Sequence, residues 1–180
     1  MSERIKSHGL TQYRHPDSTS HPTENQEETS MINTYSEGSI QFIYPENWKV
    51  SDEDANEDTW QTVTLESPGG AEWTIYRHPV DADGQQICAD VIEAITTEYS
   101  MVDESNDYQT QIDGQVLEGT QLFFYFLDLL VTVVCYCITT GDSTYVFVYQ
   151  GEDREYDENE EVIRALTLSV ISEQLPNMTN

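Results

Sequence analysis

The stretch Leu122 to Ile138, LFFYFLDLLVTVVCYCI, is apolar in both alternation registers. In an extended chain Leu122, Phe124 and Phe126 point one way, and Phe123, Tyr125 and Leu127 the other. An antiparallel strand with one wet face alternates apolar and polar residues. This stretch does not alternate, so its sheet needs cover on both faces. A membrane helix is the competing use of such a run. Asp128 and Thr132 interrupt it, however, and it falls short of the roughly 20 residues a spanning helix needs. Its aromatic and β-branched residues favour strands. We therefore read it as two strands within residues 115–140 that reverse near Asp128, and expect no membrane insertion.

Two amphipathic helices are available as covers. After DADG, Asp83 is placed as an N-cap with Gln86 three residues on, a capping box. The helix that follows carries Cys88, Val91, Ile92, Ile95, Tyr99 and Val102 at steps of three and four. A second box, Asp157 with Glu160, opens a C-terminal helix bearing Val162, Ile163, Leu166 and Val170. Strands read at Ser39–Tyr44, WQTVTLES, AEWTIYRH, NDYQTQIDG and STYVFVYQ, with PGG a hairpin signal and Gly141-Asp142 a turn. The fold class expected is α+β: an α/β/α sandwich with a central antiparallel sheet of about six strands, flanked by helices on both faces. Residues 34–173 form one domain. Residues 1–33, rich in Ser, Thr, His, Pro, Glu and Gln, read as a disordered polar arm, and 174–180 as a short tail.

Charge decides which partners are excluded. The 180 residues hold 34 acids and 7 Lys plus Arg, a formal net charge of -27. Such a chain repels phosphate backbones and anionic lipid, so no nucleic-acid role is expected. A solvated or salt-adapted surface accounts for most of this charge. A basic protein partner is the functional alternative. The start, MSERIKSHGL, has no apolar core of a secretory signal. With three cysteines, an odd number, this points to a reducing cytoplasm and free thiols. Cys135 and Cys137, two apart on a strand, share a face and read as core thiols rather than metal ligands.

The segment GSIQFIYPENWKV carries a family signature. A strand, then Tyr44-Pro45, two residues and Trp48, resembles the entry to the PsbP-like fold family, as does the strand-then-helix ending from Tyr145 to Ile171. That family includes the photosystem II extrinsic protein, a Ran-binding transport factor and bacterial DcrB-type proteins. The resemblance implies an antiparallel sheet between helices and carries over no catalytic residue. Tyr44, Pro45 and Trp48 form the structural signature, with the Trp48 indole plugging one end of the core. Trp48 as a ligand-stacking residue is the alternative.

No nucleophile elbow, phosphate loop, zinc-helix or dinucleotide motif is present. His78, the one histidine after the arm, sits at a strand end. DADG and DEDANED lack the spacing of a calcium loop. We expect no catalytic residue, no metal and no cofactor. The leading function is a non-catalytic protein-interaction module, an adaptor, assembly factor or chaperone-like protein. A DNA-mimicking polyanion or an acid-base enzyme are the alternatives. The candidate partner site is the acidic loop after Trp48: Asp52, Glu53, Asp54, Glu57 and Asp58, followed by Trp60. Five carboxylates in seven residues beside an aromatic make a charged rim around an apolar anchor.

Overall fold

A computed structural model describes residues 32–56, 60–99 and 102–174. The expected arm and tail lie outside the described residues, apart from the arm's last two residues and the tail's first. Ile32 already belongs to a strand.

Two antiparallel sheets and two helices make up the described chain. β1 (Ile32–Glu37) and β2 (Ile40–Pro45) form a hairpin of their own. The larger sheet has seven strands: β3 (Lys49–Asn56), β4 (Trp60–Glu66), β5 (Glu72–Pro79), β6 (Val102–Ile112), β7 (Gln115–Phe126), β8 (Leu129–Thr140) and β9 (Ser143–Glu152). Their order across the sheet is β3-β4-β5-β9-β8-β7-β6, all neighbours antiparallel. Helix α1 (Gly84–Glu98) connects β5 to β6, and α2 (Asp153–Gln174) follows β9 directly. The expected count of about six strands is thus too low.

The doubly apolar run forms β8 and the end of β7, near the middle of this sheet. Residues of opposite parity enter different clusters. Val134, Tyr136 and Ile138 of β8 and Tyr145, Phe147 and Tyr149 of β9 pack with Ile163, Leu166 and Val170 of α2. Val133 and Cys135, with Val146 and Val148, pack with Cys88, Val91 and Ile95 of α1. Burying each such aliphatic or aromatic side chain contributes roughly 1.5–3 kcal/mol. The cover stops at the β7–β8 turn. There Leu127 and Asp128 both take positive φ, 49° and 67°, and Leu127 is 80% exposed. The hairpin projects beyond the helices, so its last apolar residues stay wet.

Close approach explains one glycine of α1. A Cβ on Gly84 would meet the Cys137 sulfur and the Thr144 methyl at 3.0 Å. The first turn of α1 thereby sits directly on β8 and β9.

Three expectations need correction. The segment expected as a loop, 51–58, is strand as far as it is described, because Ser51 to Asn56 continue β3 as an edge strand. An edge strand tolerates a run of acids, since charge there blocks pairing with other chains. Val102 is not on the α1 face but begins β6. Asp157 does not open α2, which begins four residues earlier. Thr132 Oγ1 donates to Asp153 Oδ1 at 2.6 Å and ties the first turn to β8. The Asp83 cap is present: its carboxylate accepts from the Gln86 backbone N–H at 3.1 Å. The reciprocal half of that box is not, since the Gln86 amide donates to Asp90 at 2.8 Å.

Candidate functional site

The β1–β2 hairpin is laid over the β3–β4 edge by three polar ties and an aromatic stack. Gly38, at φ 57°, makes the turn. Beyond it, Ser39 N–H donates to Gln61 Oε1 at 3.1 Å, and the same amide donates from Nε2 to Glu37 O at 2.8 Å. Tyr35 Oη donates to Glu53 Oε2 at 3.0 Å. Beneath these, Tyr35 stacks on Phe42, and Phe42 meets Trp73 edge-on with ring centres 5.4 Å apart. Edge-to-face geometry places the positive ring edge against a negative face.

The hairpin does not close fully onto the edge. Between them lies a cleft of about 510 Å³, lined by Tyr35, Glu37, Glu53, Asp54, Trp60 and Arg77 among others. Carboxylates, two aromatic rings and the Arg77 side chain share this lining. The Arg77 guanidinium lies 3.7 Å from Asp142 on the far side of the hairpin turn. Its Nε is buried without a hydrogen-bond partner. The Ser143 hydroxyl and then Arg77 hold the Asp142 carboxyl below the usual range. Burial first, and then the bond to Glu53, push the Tyr35 phenol up to about 12.

The candidate partner residues are only partly brought together. Glu57 and Asp58 lie outside the described residues. Asp52 pairs with Thr64, Glu53 with Val63 and Asp54 with Thr62. Glu53 therefore shares the hairpin's face with the buried Val63, while Asp52 and Asp54 take the opposite parity. Asp54 borders the cleft from the edge, Trp60 lines it half-buried, and Asp52 does not reach it. Tyr35, Glu37 and Arg77 were absent from the sequence-derived set. Tyr35 and Glu37 belong to β1, a strand the sequence reading does not include, and Arg77 carries no motif.

The remaining candidates take structural places. Trp48 N–H donates to Pro45 O at 3.0 Å, closing the turn after β2, and its indole is buried in the core. Tyr44 packs on that core from outside. His78 pairs with Thr144 near the end of β5, and burial lowers its imidazole pKa. All three cysteines are free, and Cys88 of α1 meets Cys135 and Cys137 of β8. The hydrogen bond with Cys135 is the main cause that pushes the Cys88 thiol up to about 12. Among the described residues no group of three or more His, Cys, Asp or Glu is placed to hold a metal ion. No described helix is long and apolar enough to cross a membrane.

No protein-family model matches the chain, and no curated protein sequence matches it. Solved structures do. The solution structure of cyanobacterial PsbP (CyanoP) from Synechocystis sp. PCC 6803 superposes with a TM-score of 0.52 at 10% identity, over 80% of this chain and 94% of that one. A crystal structure from Bacteroides thetaiotaomicron VPI-5482 gives 0.45 at 15% identity, over 73% of this chain and 46% of that one. LpqN, involved in cell envelope biogenesis of Mycobacterium tuberculosis, gives 0.34 at 13% identity, over 83% and 85%. The antiparallel sheet, the entry through Tyr44, Pro45 and Trp48, and the superposition on CyanoP agree: this chain has the PsbP-like fold.

Proposed function

We propose that this protein is a non-catalytic interaction module that holds a basic segment of a protein partner in the cleft between the β1–β2 hairpin and the β3–β4 edge. The carrying observation is the cleft lining: Glu37, Glu53 and Asp54 beside the rings of Tyr35 and Trp60. Carboxylates next to aromatic faces suit an arginine or lysine side chain, through ion pairing and cation–π attraction together. Glu57 and Asp58 follow β3 in the sequence and add two acids to the run. The sandwich architecture, with helices over both faces and one domain across residues 34–173, gives this cleft a rigid frame. The three free thiols support a cytoplasmic setting.

Association of this kind weakens with salt, because surface charge pairs are screened. Partners are recovered by pull-down with the wild-type chain and again with Glu37→Gln/Glu53→Gln/Asp54→Asn. Loss of a salt-sensitive partner in the variant is the expected result. Recovery of every specific partner unchanged, with the variant folded, removes the cleft as the site.

A further inference from the structure

We propose that the basic segment held by the cleft binds as an added β-strand along the free edge of β3. This rests on the cleft as a receptor for basic segments and names the way it receives them: as an extended stretch of a protein partner with bases at consecutive positions. Three observations lead there.

The first is which residues of β3 line the cleft. Glu53, Asp54 and Ala55 all do, and all three are exposed. Successive side chains of a strand point to opposite faces, so a cleft confined to one face meets only every second residue. This one touches three in a row and therefore opens along the edge of the strand. β3 borders the seven-stranded sheet, and among the described residues no strand pairs with its outer side. From Asp52 to Asn56 its register with β4 is unbroken, so the edge is regular where the cleft meets it.

The second is an amide on that edge. Ala55 N–H donates to the carboxylate of its own neighbour, Asp54 Oδ1, at 2.8 Å. An amide satisfied in this local way stands outside the ladder to β4. In an antiparallel pair, alternate residues turn both N–H and C=O toward the partner strand, and the others turn both away. Ala55 thus belongs to the outward set, and Glu53 shares its parity. Outward N–H and C=O groups are what a peptide uses in strand addition, where main-chain bonds supply affinity and alternate side chains supply specificity. A carbonyl of the incoming strand replaces Asp54 at the Ala55 amide and frees that carboxylate for a base.

The third is charge. Glu53 shares the face of the buried Val63, and Asp52 and Asp54 take the opposite one. The edge is therefore acidic on both faces. Opposite charges across a strand pair attract, and like charges directly opposite repel. The strand that fits carries lysine or arginine at successive positions, one set toward Glu53 and the other toward Asp52 and Asp54. A helical segment with its bases on one stripe meets only one of these faces. A second copy's β3 brings acid against acid.

The probe is a heptapeptide with fluorescein at its N-terminus, an amidated C-terminus, and arginine and lysine alternating at its central positions. It is titrated against the full chain at low salt. Fluorescence anisotropy gives its affinity, and amide hydrogen exchange followed by NMR gives its place. Strand addition predicts that the Glu53 and Ala55 amides exchange roughly fivefold more slowly, or slower still, in the complex, while Asp52 and Asp54, turned toward β4, keep their rates. Ala55→Pro removes an edge donor and keeps every carboxylate, and proline is tolerated on the outer side of an edge strand. This variant should bind the peptide roughly tenfold more weakly. Bound peptide that leaves both amides unprotected overturns the proposal, as does unchanged affinity in a folded Ala55→Pro chain or a wild-type chain that binds no peptide. Protection that grows with protein concentration in the absence of peptide overturns it in favour of a second copy. The pull-down with the Glu37, Glu53 and Asp54 variant tests the cleft, whereas exchange and Ala55→Pro test the added strand, so the two readings fall separately.

Discussion

Trp48 shows what one residue can settle from sequence. Its place after Tyr44-Pro45 predicted a core plug, and the indole is 4% exposed. Trp48→Ala is expected to cost roughly 3–5 kcal/mol in chemical denaturation, the usual range for a truncated buried aromatic. Tyr35 teaches the opposite. Nothing in its sequence neighbourhood marked it, because its role depends on Glu53, eighteen positions away and reached only through the fold. Its phenol, raised from 10 to about 12 by burial and by Glu53, gives a pH prediction. The folded-state value lies above the unfolded one. Stability from the neutral phenol is therefore fully present below pH 10 and is lost as pH rises from 10 through 12. Across that window the denaturation midpoint of the wild type should fall more steeply than that of Tyr35→Phe. Equal slopes would remove Tyr35 from the alkaline transition. Other buried tyrosines with raised values, Tyr76 and Tyr149 among them, keep part of the sensitivity in both proteins.

Elements were legible where apolar periodicity was strong. The β7–β8 reversal near Asp128, the PGG turn and the face of α1 all follow from spacing. Composition misled where acids are everywhere. In a chain this acidic, an Asp followed three residues later by Glu arises by chance inside helices, and the Asp157–Glu160 pair is one such case. The two boxes can be separated by experiment. Asp83→Ala removes a carboxylate that accepts a backbone N–H at the start of α1, and should cost about 1 kcal/mol. Asp157→Ala lies inside α2 and should change stability by less than about 0.5 kcal/mol. Equal losses, measured by urea titration, would overturn this placement of the α2 start. The same excess of acid hid β3, whose SDEDAN carries no alternation to read. Its pairing with β4 is fixed by backbone and register, and the candidate site was half missed because Tyr35, Glu37 and Arg77 are brought to it only by the fold.

At the scale of the whole molecule, charge is the dominant uncompensated force. Among the described residues three ion pairs stand against a large excess of carboxylates, and one of them is stretched to 3.7 Å. Mutual repulsion in the folded state falls as the Debye length shortens to roughly 3 Å at 1 M salt. The melting temperature should rise from low to molar NaCl, followed by circular dichroism. A flat or falling curve would show the acids to be locally balanced. Repulsion also protects. The seven-stranded sheet is open, with β3 at one border and β6 at the other. Each border strand carries three acids in its sequence, Asp52, Glu53 and Asp54 in one and Asp103, Glu104 and Asp107 in the other. An unpaired strand is a template on which another molecule's strand can grow, and charge is what keeps it sterile. Strong acid discharges carboxylates in general, and there the template is bared on both sides at once. A molecule with two such borders is divalent, so acid should drive it into linear polymers with a cross-β spacing rather than into closed dimers. Lysine in place of Asp52 and Asp107, which stays charged in acid, should block that growth.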